Sequence, residues 1–278
     1  MVKEAQQKII EGMEHIKPFP HYVQEAISLI DSDDSDNHQI ANIIKQDPIL
    51  AARILSLANS PFFGMCGKIE EIETSCVILG SNIIKNLLVS IGAFGCFPTT
   101  EQRTKIWGHS IEVAFVSELL ASKLNQSESK AYIAGLLHDV GKFLLIDAFP
   151  EHQSMIEASH PADNNNSLEE ETKIMGSNHA QVGAKIIGVW KLPKEIQNIV
   201  EMHHNPIEAD DYATCSLLNL ADELCHRLEM NVSDEEILSG LKNENIQLLD
   251  VDSQALSNML PDIKKKIGTL EGMLEQLK

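Results

Sequence analysis

The chain has 278 residues, of which 43% are hydrophobic and 5% aromatic, and its 22 Lys and Arg against 41 Asp and Glu give a formal net charge of −19. A balance this acidic, with basic residues scattered along the chain, repels phosphate backbones and argues against nucleic-acid binding. The five cysteines show no Cys-x-x-Cys spacing, and neither a leader-like segment nor an apolar run of membrane-spanning length is evident. We therefore expect a cytoplasmic protein with reduced thiols.

Helical periodicity prevails along the chain and strand-like alternation is almost absent, so the predicted fold class is all-α. In the N-terminal lobe, the apolar spacing of Ile40–Ile44 predicts one helix. Asp47 is expected to cap the next helix, which should end near Asn59, and an acidic loop is expected over residues 31–37. Residues 97–102 are predicted to separate this lobe, 1–98, from a metal-site lobe against which it packs.

The dipeptide His138-Asp139 lies inside the apolar run Ala134–Lys142. Burying an imidazole beside a carboxylate is costly unless both are paired, and a metal ion is a common partner. Lys142 follows Asp139 by three residues, so it should share the same helix face, where it could meet a phosphate. The alternative interpretation is a core histidine that is hydrogen-bonded to the neighbouring Asp.

Further ligand-type residues adjoin apolar helical patterns on either side of this pair. His109 is expected to open a helix, His179 to start another, and His203-His204 to end a third before Asn205-Pro206. Asp222 lies within an apolar run beside Glu223. Each residue alone could be a helix-terminal or solvated side chain. Together they form a nitrogen-rich set that suits Fe, Mn, Zn or Ni better than Mg or Ca.

Two other segments have simpler interpretations. A polar loop over residues 161–170 could cover the site, although a mobile surface loop is the plainer expectation. Ser233 begins a capping box, and Pro261 is predicted as the first residue of a final helix. The apolar spacing along that helix favours packing on its own core, and a homodimer seam is the alternative. The predicted divisions are 1–98, 99–228 and 229–278.

The order of these residues resembles the metal pattern of the HD phosphohydrolase superfamily. The run Gln46–Gly64, together with Val77–Gly80 and Trp107–Ser110, is similar to the HDOD (HD-related output domain) family of bacterial signalling proteins. The resemblance covers about residues 16–225. The chain lacks the Gly-Tyr-Pro motif of the cyclic-dinucleotide phosphodiesterase branch, so the resemblance does not extend to that activity.

The resemblance implies a stand-alone regulatory or adaptor protein with a complete HD metal site, whose partner is a signalling protein or a phosphorylated small ligand. The alternative is a metal-dependent phosphohydrolase acting on phosphomono- or phosphodiesters. In that scheme Asp139 bridges two ions and Lys142 neutralises the phosphate. One ion is then held by His109, His138 and Asp222, and the other by His179, His203 and His204.

Overall fold

The computed structural model describes residues 2–30, 36–59, 69–152, 154, 166–230, 232–241 and 243–276. Within these ranges the chain is helical and contains no strand, which confirms the predicted all-α class. The helices are α1 (Val2–Glu14), α2 (His21–Ile30), α3 (Asn37–Ile44), α4 (Pro48–Ala58), α5 (Ile72–Gly95), α6 (Glu101–Lys123), α7 (Glu128–Leu137), α8 (Val140–Ala148), α9 (Asn166–Met175), α10 (His179–Val189), α11 (Lys194–Met202), α12 (Tyr212–Glu229), α13 (Asp234–Ser239), α14 (Asn243–Leu248) and α15 (Ser253–Gln276).

The helices form two compact units. Lys17–Pro98 is one unit, and the described residues on either side of it form the other. The N-terminal lobe was expected to begin at residue 1, but α1 belongs to the second unit. The reason is its apolar stripe: Ala5 and Ile9 are buried, and α1 contacts α8 and α9. The residues from 229 onward also belong to this second unit.

The smaller unit is built around α5, which contacts α2, α3 and α4. The predicted cap of α4 is confirmed, because Oδ1 of Asp47 accepts a hydrogen bond from the backbone N–H of Leu50 at 3.2 Å. Most of the expected acidic loop, residues 31–35, lies outside the described residues. The start of α3 is described, and Asp36 caps it by accepting from the N–H of His38.

By length and composition α5 could cross a membrane, with a mean hydropathy of 1.6 over 18 residues, so the expectation that no apolar run reaches that length was wrong. The helix is broken at Gly80, whose φ of 78° favours glycine. It buries Asn86, Leu87 and Leu88 among its neighbours. Within its unit it serves as a core helix that packs against α2, α3 and α4.

In the larger unit, α6, α7 and α12 pack around one aliphatic cluster, to which the C-terminal helices add Leu256, Leu260 and Ile263. The final helix begins at Ser253, eight residues before the predicted start at Pro261. Asp252 caps its first turn by accepting from the N–H of Ala255 at 2.6 Å, so the proline lies inside the helix. Ile263 packs on its own core, whereas the side chains from residue 270 onward lie outside the described set.

Two glycines allow the helices of the larger unit to approach closely. A Cβ on Gly135 of α7 would lie 2.8 Å from Cα of Ala114 in α6. A Cβ on Gly141 of α8 would overlap the carbonyl oxygen of His179 and lie 2.6 Å from the amide nitrogen of Gly183, both in α10. The crossing of α8 and α10 therefore depends on the absence of a side chain at Gly141, immediately after His138-Asp139.

We expect Gly141→Ala to lower the free energy of unfolding by about 2 kcal/mol or more, because backbone atoms of α10 must move to admit the methyl group. The matched control is Gly268→Ala on the exposed surface of α15, where the methyl group meets nothing within 4 Å. This change should leave stability equal or higher by up to about 1 kcal/mol, because alanine favours helix over glycine. Urea denaturation of both variants checks the prediction, and equal stabilities would contradict it.

Candidate metal centre

The His138-Asp139 pair occupies the turn between α7 and α8, not the interior of a helix as predicted. Nδ1 of His138 donates to the carbonyl oxygen of Gly135 at 2.7 Å. In a neutral ring that bond leaves the lone pair on Nε2, which is buried and has no hydrogen-bond partner among the described residues. When the ring is neutral, the turn therefore presents a nitrogen lone pair beside a carboxylate.

The other predicted ligands come from four helices. His109 lies in the middle of α6, so the expectation that it opens a helix was wrong. His179 begins α10, as predicted, behind the capping residue Asn178. His203 and His204 were predicted to end a helix, but they lie in the turn directly after α11, whose last residue is Met202. Asp222 lies within α12. Asp222 and its neighbour Glu223 are both buried, which excludes a solvated face.

His109, His138 and Asp222 form one group, which we call the first triad. Their nearest ligand atoms all lie within 4.8 Å of one another. Nε2 of His109 is 2.9 Å from Oδ1 of Asp222, and Nε2 of His138 is 3.8 Å from the same oxygen. One carboxylate oxygen and two imidazole nitrogens thus face a common point.

His179, His203 and His204 form a second triad, again with ligand atoms within 4.8 Å of one another. Nε2 of His179 lies 2.9 Å from Nε2 of His204. Nδ1 of His203 donates to the carbonyl oxygen of Val200 at 2.7 Å, so its Nε2 carries the lone pair. This nitrogen is buried, and no described residue hydrogen-bonds to it. This triad presents three imidazoles and no carboxylate of its own.

Asp139 lies between the two triads and offers one oxygen to each. Oδ1 is 3.5 Å from Nε2 of His179, and Oδ2 is 3.3 Å from Nε2 of His138. Lys142 donates to Oδ2 with a separation of 2.8 Å, and both side chains of this ion pair are 4% exposed. The structure therefore brings all eight predicted site residues into one region of the larger unit.

The protonation states favour ligation in the second triad. Burial, together with His138 and His179, lowers the pKa of His203 to about 3, and burial with His203 holds the pKa of His204 well below its usual range. Both rings are therefore neutral at pH 7, the form in which imidazole binds a metal. Burial raises the pKa of Asp139, but His138 and Lys142 outweigh it and hold that pKa well below the ordinary value.

These residues fit a pair of divalent transition metals. A buried ring nitrogen with no partner costs about 1–3 kcal/mol. Among the described residues the site has three, and two of them, Nε2 of His138 and Nε2 of His203, belong to the triads. An ion in each triad would satisfy both nitrogens. Imidazole-rich sets with one or two carboxylates are typical of Zn, Fe, Mn and Ni sites.

The sequence analysis missed Glu171, which is fully buried in α9 and supports His179. Its carboxylate accepts from Nδ1 of His179 at 2.9 Å and from the backbone N–H of the same residue at 2.7 Å. Glu171 fixes the tautomer and the ring orientation of a predicted ligand. It was overlooked because it directly follows residues 161–170, which were interpreted as a loop, whereas α9 begins at Asn166.

His226 and Glu229 were also missed, although they follow Asp222 on α12 at four and seven residues, the spacing of one helix face. His226 Nε2 is 3.2 Å from Oδ1 of Asp222, and its ring stacks on His109 with centroids 4.2 Å apart. Burial opposes a charge on His109, but Asp222 and Glu229 outweigh it and raise its pKa to about 10. Without an ion, His109 is therefore protonated at pH 7, and an ion bound at either of its ring nitrogens would displace a proton.

We expect Glu171→Gln to weaken binding of Zn²⁺ at the second triad by about 10- to 100-fold, because the amide that replaces the carboxylate holds His179 less firmly. Glu170→Gln, an exposed neighbour on the same helix, is the matched control and should change nothing. Competition with a chromophoric chelator measures both affinities. Equal affinities for the two variants would show that Glu171 has only a packing role.

Comparison with known proteins agrees with this architecture. A crystal structure of a candidate phosphohydrolase from Shewanella amazonensis superposes with a TM-score of 0.75 at 22% identity, covering 95% of this chain and 97% of that one. An uncharacterised protein of Treponema pallidum is 27% identical over 208 residues, 73% of this chain and 40% of that protein. Ribonuclease Y of Thermosipho melanesiensis is 32% identical over 109 residues, 39% of this chain and 16% of its own length.

The chain thus spans less than half the length of these two sequence relatives. The model of the HDOD domain matches residues 16–206, which include the turn between α7 and α8 and all of the second triad. Asp222 and the outer residues of α12 lie beyond that match. The chain belongs to the HDOD domain family.

Proposed function

We propose that this HDOD protein binds two divalent transition-metal ions and hydrolyses a phosphate ester as part of a bacterial signalling pathway. The observation that carries the proposal is the position of Asp139, which turns one oxygen toward each of two ligand triads. A carboxylate between two imidazole-rich groups is the arrangement expected of a two-metal hydrolytic site.

Each residue has a distinct role in this proposal. The first triad would hold one ion and the second triad the other, and Asp139 would offer one oxygen to each. When bound, such ions make a water molecule more acidic and stabilise negative charge on the phosphoryl oxygens. Lys142 balances the charge of Asp139 at 2.8 Å and adds positive charge where a phosphate would arrive.

The site suits a small phosphorylated molecule better than a nucleic acid. A cleft of about 490 Å³ opens beside His204, and its polar lining includes Thr172, Lys173, Asn178 and Asn205. That volume is in the range of small-ligand sites. Ribonuclease Y, which this chain resembles over 109 residues, supports a phosphodiester as substrate, but a net charge of −19 opposes a polynucleotide.

The second candidate function is that of a cytoplasmic regulatory or adaptor protein that uses its metal site to bind a partner or ligand without turnover. Burial of the candidate ligands favours this regulatory function. Of the seven candidate ligands, five are buried and only His109 and His204 have an intermediate exposure. Ions held by these residues would be largely shielded from a substrate, even with the cleft beside His204.

We expect the Mn²⁺-loaded protein to hydrolyse p-nitrophenyl phosphate or its bis ester, and Asp139→Asn to lower that rate by about 100-fold or more, because the bridging charge is lost. Asp210→Asn, which changes an exposed carboxylate near α11, is the control and should retain the full rate. Release of p-nitrophenolate measures both. If the loaded wild-type protein binds its ions but shows no turnover above the chelated protein, the second candidate function replaces the first.

A further inference from the structure

A second group of cation ligands lies on the outer side of the first triad. It comprises His109, His226 and Glu229, whose nearest ligand atoms lie within 4.8 Å of one another. Nδ1 of His109 is 3.5 Å from Oε1 of Glu229, and Nδ1 of His226 is 3.8 Å from Oε2 of the same residue. Neither separation is that of a well-formed hydrogen bond. Two ring nitrogens thus converge on one carboxylate.

His109 belongs to both groups through its two different nitrogens. Nε2 faces Asp222 in the first triad, and Nδ1 faces Glu229 in the outer group. A neutral imidazole has one lone pair and one N–H, so His109 can ligate an ion on one side at a time. When Nε2 ligates, Nδ1–H donates to Glu229. When Nδ1 ligates, Nε2–H donates to Asp222.

We propose that Nδ1 of His109, Nδ1 of His226 and the carboxylate of Glu229 form an outer site for a divalent transition metal, through which an ion enters the first triad. The proposal rests on the metal binding in the proposed function and is independent of hydrolysis. The ion would move inward by exchanging Nδ1 of His109 for Nε2, while the ring proton passes from Nε2, which faces Asp222, to Nδ1, which faces Glu229.

The exposure and charge of Glu229 and Asp222 indicate the direction in which an ion would move. The side chain of Glu229 is 52% exposed, whereas that of Asp222 is 2% exposed. The stacked rings of His109 and His226 lie between these two carboxylates. An ion arriving from water therefore meets Glu229 first, and a carboxylate at the mouth of a buried site raises the local concentration of cations.

Counting Zn²⁺ ions bound per chain tests the outer site directly. The wild-type protein should hold two ions, since His109 serves one side at a time. His138→Ala removes a ligand of the first triad alone, so this variant should still hold two, with one in the outer site. The double variant His138→Ala, Glu229→Gln should hold one. The proposal is overturned if His138→Ala already holds one ion, or if the double variant still holds two.

Loading kinetics provide a test that leaves the first triad intact. Glu229→Gln should still bind two Zn²⁺ ions at equilibrium but fill the first triad about 10-fold more slowly, because the carboxylate that captures the ion is gone. Glu208→Gln, another exposed glutamate of the same unit, should load at the wild-type rate.

An unchanged loading rate in Glu229→Gln, or a weaker equilibrium affinity with an unchanged loading rate, would mean that Glu229 only orients His109, and the outer site would be rejected. A wild-type protein that binds no Zn²⁺ at all would instead reject the metal site of the proposed function. The two failures are therefore distinguishable.

Discussion

The carboxylate of Asp139 is the feature on which the arrangement of the site depends. It is buried, and it approaches imidazole nitrogens of both triads while Lys142 donates to it at 2.8 Å. An ionised carboxylate in such a place needs positive charge around it, because burial alone would protonate it. The lysine supplies one charge, and the nitrogens without partners on either side fit two more cations. Removing Asp139 would leave Lys142 and the two triads without their common partner.

The fold surrounds this carboxylate with ligands from helices that are distant in sequence. The ligands come from α6, the α7–α8 turn, α10, the end of α11 and α12. Glycines at 135 and 141 let α7 and α8 approach the backbones of α6 and α10. Hydrogen bonds from His138 to Gly135, from His203 to Val200 and from His179 to Glu171 then fix which nitrogen of each ring faces the site. Helix packing determines how far apart the ligand side chains lie, and these hydrogen bonds determine which nitrogen of each ring carries the proton.

Much of this could be predicted from the sequence, since local signals decide it. The cap at Asp47, the start of α10 at His179 and the end of α11 before His203 follow from residues within one turn. The position of His109 in mid-helix was not predicted, because α6 begins at Glu101 in a polar segment, where the Thr100 side chain caps it by accepting from the backbone N–H of Arg103. Glu171 was missed for a similar reason, because it follows a polar segment that was interpreted as a loop. Whether the ligands converge was beyond any local signal, because Asp222 and His109 are 113 residues apart.

The acidic residues of the chain affect ligands of the site at both long and short range. A net charge of −19 repels a polyanion at long range, while the carboxylates of Asp222 and Glu229 attract cations at short range.

A crystal grown from protein purified without chelator, with data collected across the absorption edge of the bound metal, tests the central claim most directly. The account predicts two anomalous peaks, one against Nε2 of His138 and Asp222 and one against His179, His203 and His204, with Asp139 between them. Unliganded nitrogens on His138 and His203 in metal-saturated crystals would contradict it.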